Sequence, residues 1–176
     1  MVKLDLGCGK NPKPGFEGVD NIKFDEVTHV CDLSIPGWPF EDNSVEEVHC
    51  SHFVEHLSGR ERIQFANELH RILAPGGKAT IIVPHWASCR AYGDMTHQWP
   101  PVSEFWFFYL SKEWRAGNCP HDDIEWNPQG YSCDFQATWG YSMNPSLNAR
   151  NQEFQQFALS NYKEAAQDII ATLIKR

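Results

Sequence analysis

The sequence predicts an α/β domain built on an open, mostly parallel β-sheet, and three observations carry that reading. Leu4-Asp5-Leu6-Gly7-Cys8-Gly9 is an apolar strand that runs straight into a glycine turn. Short apolar runs rich in Val and Ile recur through the first half of the chain and end in polar or turn residues, as strands buried on both faces do. A helix with a readable start and stop separates the last two of those runs.

The early strands are Val2 to Leu6, Phe16 to Asp20, Thr28 to Asp32, Val45 to Cys50 and Lys78 to Pro84. Between the fourth and fifth, Ser58 and Glu61 form a capping-box pattern. Ile63, Ala66, Leu69, Ile72 and Leu73 then repeat at helical spacing until Pro75-Gly76-Gly77 stops the helix. Later, Phe135 to Ser142 reads as a strand, Asn151 to Ala166 as a helix and Ile169 to Ile174 as a final buried strand.

Between these parts, residues 86–133 lack clear periodicity and hold 11 of the chain's 23 aromatic residues, with four prolines. A structureless stretch of that length inside a domain is usually a lid or a binding loop. Most of its aromatics are expected to form a satellite core beneath it, with a few walling a substrate pocket. The 176 residues fit a single domain, 1–176, in which 86–133 is the substrate-binding or lid segment.

Composition narrows the partners. With 23 acidic against 15 basic residues and a pI near 5.4, the chain lacks the electropositive surface that nonspecific nucleic-acid binding requires. No stretch is long and apolar enough for a membrane span, and the start lacks a secretory pattern, so a cytoplasmic location is expected. There the cysteines at 8, 31, 50, 89, 119 and 133 are expected to be reduced and unpaired.

The glycine turn marks where a nucleotide-like ligand docks. Gly7 and Gly9 remove side chains that would keep a ligand off the backbone, and both tolerate the positive φ of a sharp turn. A pyrophosphate fingerprint would need a third glycine opening a helix, but Pro12 stands in its place. Lys10 to Gly15 is also too short for a crossover helix, since a whole βαβ crossover takes at least about ten residues. Without that helix no dipole faces a phosphate, so the turn suits a ligand with an adenosine and no phosphate. Asp20 and Asp32 fall at the ends of the second and third strands, where ligands of parallel sheets bind. A carboxylate at Asp20 can accept both ribose hydroxyls, and Asp32 can reach an adenine amino group.

With these residues in place, the chain resembles the class I S-adenosylmethionine-dependent methyltransferases of the type 11 kind. The resemblance rests on Asp5-Leu6-Gly7-Cys8-Gly9, Gly18-Val19-Asp20, Cys31-Asp32-Leu33, the run Pro39 to Val45, Ser51-His52-Phe53-Val54-Glu55-His56-Leu57, and Arg71 to Gly77. It implies a Rossmann-like, doubly wound sheet of seven strands, mostly parallel with an antiparallel last strand, and S-adenosylmethionine as cofactor. By the same resemblance, Gly7 and Gly9 approach the methionine part, Asp20 holds the ribose, Asp32 and Leu33 border the adenine, Ser51 and His52 line the space near the sulfonium, and Asp5, Cys8 and Asn21 are further cofactor-binding residues. The chain departs from the family pattern in lacking helices before the first strand and in its compressed first crossover. Cover for the cofactor then falls to the aromatic segment.

His52 and His56 are spaced i, i+4, but the sequence between them is not the H-E-x-x-H of zinc enzymes, so no metal is expected and His56 reads as a packed, hydrogen-bonded residue. Cys119 and His121, with Cys89 and Cys133, contain no C-x-x-C pair and are not read as ligands either.

Candidates for the chemistry lie just after the fifth strand. His97, whose type titrates near about 6.5, is the expected base, with Asp94 three residues earlier to orient it. His85 is a rival base, and Arg90 can clamp an anionic group of the acceptor. Trp86, Trp106 or Tyr109 can stack on a planar acceptor or on the sulfonium. The expected function is methyl transfer to a small-molecule or nucleotide-like acceptor. The alternatives are a nucleic-acid or protein acceptor, disfavoured by the acidic balance and by the absence of an Asn/Asp-Pro-Pro-Tyr motif after the fourth strand, and a cofactor-binding module without turnover.

Overall fold

Val2–Leu6 forms β1, with Leu4 and Leu6 fully buried, because a strand flanked by two others and covered on both faces has no side on which to place polar groups. Its neighbours are β2 (Glu17–Asp20) and β4 (Val45–Ser51), both parallel to it. With β3 (Val27–Val30), β5 (Leu73–Pro84), β6 (Phe135–Met143) and β7 (Ala166–Lys175), they make one sheet in the order β3-β2-β1-β4-β5-β7-β6. The computed structural model describes residues 2–176. Strands β1 to β5 run parallel, and β7 lies antiparallel between β5 and β6. The chain order reverses between β1 and β4, which is the crevice where open α/β sheets bind ligands.

The first crossover holds no helix, and side chains hold it in place instead. Asp5, almost fully buried, accepts the Lys13 amide on Oδ2 at 2.7 Å and meets Nδ1 of its cross-strand neighbour His49 through Oδ1 at 2.7 Å. The Gly7 amide donates to the Val19 carbonyl at 2.8 Å, so the glycine turn is fixed to the start of the next turn in space.

Helix α1 (Gly59–Ile72) carries the capping box: Ser58 Oγ accepts from the Glu61 amide, and Glu61 Oε2 accepts from the Ser58 amide at 2.7 Å. Phe65, Ala66, Leu69 and Ile72 bury its apolar stripe in the core. The helix ends before Pro75-Gly76-Gly77, because Leu73 turns extended and pairs with Val45. Strand β5 therefore begins five residues ahead of Lys78 and includes the Pro-Gly-Gly bulge, with Gly76 at φ +75°.

Residues 86–133 contain more structure than their lack of periodicity suggests: α2 (Arg90–Gly93), α3 (Glu104–Tyr109) and α4 (Lys112–Asn118). These helices are too short for a 3.6-residue repeat to show. Trp106, Phe107, Leu110 and Tyr131 join the main core cluster and do not form a separate satellite. Arg115, fully buried, ties the segment to itself: its guanidinium meets Asp123 at 2.7 and 2.9 Å and donates to the carbonyls of Tyr109 and Cys133 at 2.7 and 2.9 Å.

Helix α5 (Gln152–Asn161) ends five residues earlier than the sequence suggests, because Tyr162 becomes extended and Ala166 already pairs in the sheet. Ile169, Ala171 and Leu173 of β7 are fully buried, which fits a strand flanked on both sides.

Candidate active site

Two cavities open at the carboxyl ends of the strands. The smaller, about 220 Å³, is walled by Gly7, Asp20, Asn21, Asp32 and Leu33, closed by Phe53 and Leu57. The larger, about 630 Å³, is walled by His52, Glu55 and His56 on one side and by Arg90, Asp94 and His97 on the other. The single turn from residue 52 to 57 contributes to both.

Asp20 sits at the end of β2 with each carboxylate oxygen accepting one amide: Gly9 to Oδ2 at 2.9 Å and Ile22 to Oδ1 at 3.0 Å. Each oxygen keeps a lone pair for a ribose hydroxyl. Asp32 spends only Oδ1, on the amide and hydroxyl of Ser34 at 2.9 and 2.6 Å. Those two bonds hold its carboxyl below the ordinary value. Gly7, at φ +69°, lies so close to Phe53 that a Cβ there would stand 2.6 Å from the ring. These residues fit an adenosine: a side-chain-free backbone, acceptors for two hydroxyls and an apolar floor.

Asp5, Cys8, Gly9 and Ser51 wall neither cavity. Asp5 and Gly9 act through hydrogen bonds that shape the turn. Cys8 packs its sulfur against Gly18, and burial pushes its thiol up to about 11, so it stays protonated.

His52 takes a positive φ of 56°, costly for a side-chain-bearing residue, at the end of β4, where its amide is pinned to the Ile82 carbonyl at 2.9 Å. That turn swings its ring between two acids. Nδ1 stands 3.3 Å from Glu55 Oε1 and Nε2 3.9 Å from Asp168 Oδ1. The bond to Glu55 raises the imidazole's pKa, against partial burial. Arg90 reaches the same Asp168 at 3.1 Å.

Of the expected chemical residues, Arg90, Asp94 and His97 are brought together on the larger cavity. His97 Nδ1 lies 3.2 Å from the Ala91 carbonyl, which orients the ring. Asp94 stands 4.0 Å from Nε2 and spends Oδ1 on the amide and hydroxyl of Thr96. The orienting part expected of Asp94 thus falls to a backbone carbonyl. His85 is 1% exposed and points away from the cavity, with Nδ1 accepting the Ala87 amide and Nε2 3.6 Å from Glu104. Trp86, Trp106 and Tyr109 border other clefts.

Sequence reasoning missed Glu55 and Asp168 as site residues. Both are buried acids, 4% and 8% exposed: Glu55 lines the cavity and Asp168 backs its Arg90 and His52, and an acid beside an apolar strand was the available signal for Asp168. Arg62 was also missed. Buried on α1, it donates to the carbonyls of Val54, Gln98 and Pro100, which fixes the wall that carries His97. Cys119 approaches His121 and Asp122, whereas Cys133 lies in the core and Cys89 at the start of α2.

The strand order with its reversed seventh strand, the glycine turn and the acid after β2 are those of the class I S-adenosylmethionine-dependent methyltransferase fold. Residues 18–81, about a third of the chain, match the model of the methyltransferase-domain family. The match takes in Asp20, Asp32, the turn 52–57 and α1.

Several solved structures share the fold. A methyltransferase from Archaeoglobus fulgidus, described as dependent on the same donor, superposes with a TM-score of 0.62 at 18% identity, over 99% of this chain and 86% of that one. The Burkholderia thailandensis 1,6-didemethyltoxoflavin-N1-methyltransferase, bound to its substrate and S-adenosylhomocysteine, gives 0.58 at 13%, over 99% and 70%. A chain of the complex between the Haloferax volcanii Trm112 methyltransferase activator and its methyltransferase gives 0.54 at 14%, over 99% and 81%. No curated protein matches the chain.

Proposed function

We propose that the chain is a cytoplasmic enzyme that transfers a methyl group from S-adenosylmethionine to a small-molecule or nucleotide-like acceptor. The observation that carries this reading is the pair of cavities on either side of the turn 52–57, one fitted to an adenosine and the other, at about 630 Å³, within the size range of small-molecule sites.

Bound S-adenosylmethionine supplies an electrophilic methyl group. Asp20 and Asn21 hold the ribose, Asp32 and Leu33 border the adenine, and the Gly7 turn admits the amino-acid portion past Phe53. Arg90 clamps an anionic or polar group of the acceptor, held in place by Asp168. Ala91 accepts the Nδ1 proton of His97, so the neutral ring has a bare Nε2 with which to take a proton from an acceptor that carries one. The segment 90–97 closes one side of the cavity and limits water around the nucleophile.

Calorimetry with S-adenosylhomocysteine tests the first half: wild-type protein binds, and Asp20→Ala loses at least tenfold. A screen of small acceptors for S-adenosylhomocysteine release tests the second. Wild-type protein that ignores the cofactor overturns the reading.

A further inference from the structure

We propose that Glu55, His56 and His97 form a binding site for a divalent transition-metal ion on the wall of the acceptor cavity. Each residue offers one ligand atom, and these atoms all lie within 4.8 Å of one another. All three border the 630 Å³ cavity.

The first argument is a carboxylate oxygen with nothing to do. Glu55 is 4% exposed, and its Oε1 faces His52 Nδ1 at 3.3 Å. Oε2 is buried and has no hydrogen-bond partner. A buried, unpaired carboxylate oxygen is costly, and a bound cation removes that cost.

The second argument is the proton arrangement of the two imidazoles. Thr96 Oγ1 donates its hydrogen to Asp94 Oδ1 at 2.7 Å, so it can only accept from His56 Nδ1, 2.9 Å away. The Ala91 carbonyl likewise can only accept from His97 Nδ1. Both rings therefore carry their proton on Nδ1 and present an unprotonated Nε2. That is how outer hydrogen bonds prepare histidine ligands for a metal. Asp94 Oδ2 takes no part in Asp94's hydrogen bonds and stands 4.0 Å from His97 Nε2, available as a further ligand.

The site is also held before any ion arrives. The Gln98 amide donates to the Glu55 carbonyl at 2.8 Å, and Arg62 donates to the carbonyls of Gln98 and Pro100, so the turn that carries His97 is fixed against the one that carries Glu55 and His56. Two imidazoles and one carboxylate suit Zn²⁺, Co²⁺, Mn²⁺ or Fe²⁺ and disfavour Mg²⁺ and Ca²⁺, which prefer all-oxygen sites. With an ion bound, His97 Nε2 would be a ligand and not a base, and the ion would supply Lewis-acid activation beside the cavity in its place.

The test reads binding without any methyl donor, so its failure leaves the methyl-transfer reading intact. Metal-stripped full-length protein is titrated with Co²⁺ and followed by visible absorption and calorimetry. One equivalent is expected to bind, to raise the unfolding temperature and to resist excess Mg²⁺. His97→Gln and His56→Gln should each weaken binding at least tenfold. Thr96→Val, an exposed position whose change spares the fold, should weaken it about tenfold by freeing the His56 tautomer. No bound Co²⁺, displacement by Mg²⁺, or equal binding by folded His97→Gln protein overturns the proposal.

Discussion

The ring of Phe53 occupies the space that a side chain at Gly7 would need, with its nearest atom 2.6 Å from an ideal Cβ. The glycine is required twice, by its φ of +69° and by this close approach. Gly7→Ala is expected to push Phe53 into the smaller cavity and to cut S-adenosylhomocysteine affinity at least tenfold. Circular dichroism should show the fold retained while calorimetry records the loss.

Asp20 and Asp32 differ in how much they owe to the backbone. Asp20 ties Gly9 and Ile22, whereas Asp32 serves only its own turn through Ser34. Asp20→Asn should therefore lower both cofactor affinity and stability, the latter by about 1 kcal/mol for one lost amide bond. Asp32→Asn should lower affinity by a smaller factor and leave stability unchanged. Calorimetry and thermal unfolding of the two variants side by side check the contrast.

Arg115 and Asp123 form a buried pair at 2.7 Å that holds the aromatic segment together. Arg115→Ala leaves Asp123 buried without its partner and is expected to cost about 3–5 kcal/mol, measured by urea unfolding. Replacing both residues by apolar ones of similar volume should recover part of that loss.

Glu68 accepts the amides of Gly37 and Trp38 and pairs with Arg71. Burial pushes its carboxyl up, but the Arg71 bonds and the two amides outweigh burial and hold it below its usual 4.5. Because the folded value is depressed, the stabilisation is present above about pH 4.5 and is lost as pH falls through the folded value. Glu68→Gln should be less stable than wild type at neutral pH, and the gap should narrow on acidification below 4.5, as followed by unfolding temperature across pH.

The lining of the smaller cavity was largely legible from residue order. The turn at Gly7, the acids at Asp20 and Asp32 and the capped helix α1 are local signals: a backbone angle, the end of a strand, a helix period and its cap. Each survives folding because neighbours along the chain make it. The lining of the larger cavity was legible only in part. His97, Asp94 and Arg90 stood out by residue type, yet nothing local could place Asp168 beside Arg90 or turn His85 away toward Glu104. Nor could it bring His97 next to Glu55 and His56, since those contacts join segments far apart in sequence. Long-range pairing settled them: β7 inserted beside β5 carries Asp168 to Arg90, and Arg62 holds the turn after α2 against the end of β4. A side chain's type is written in the chain, but which cavity it faces depends on how distant strands and loops pack.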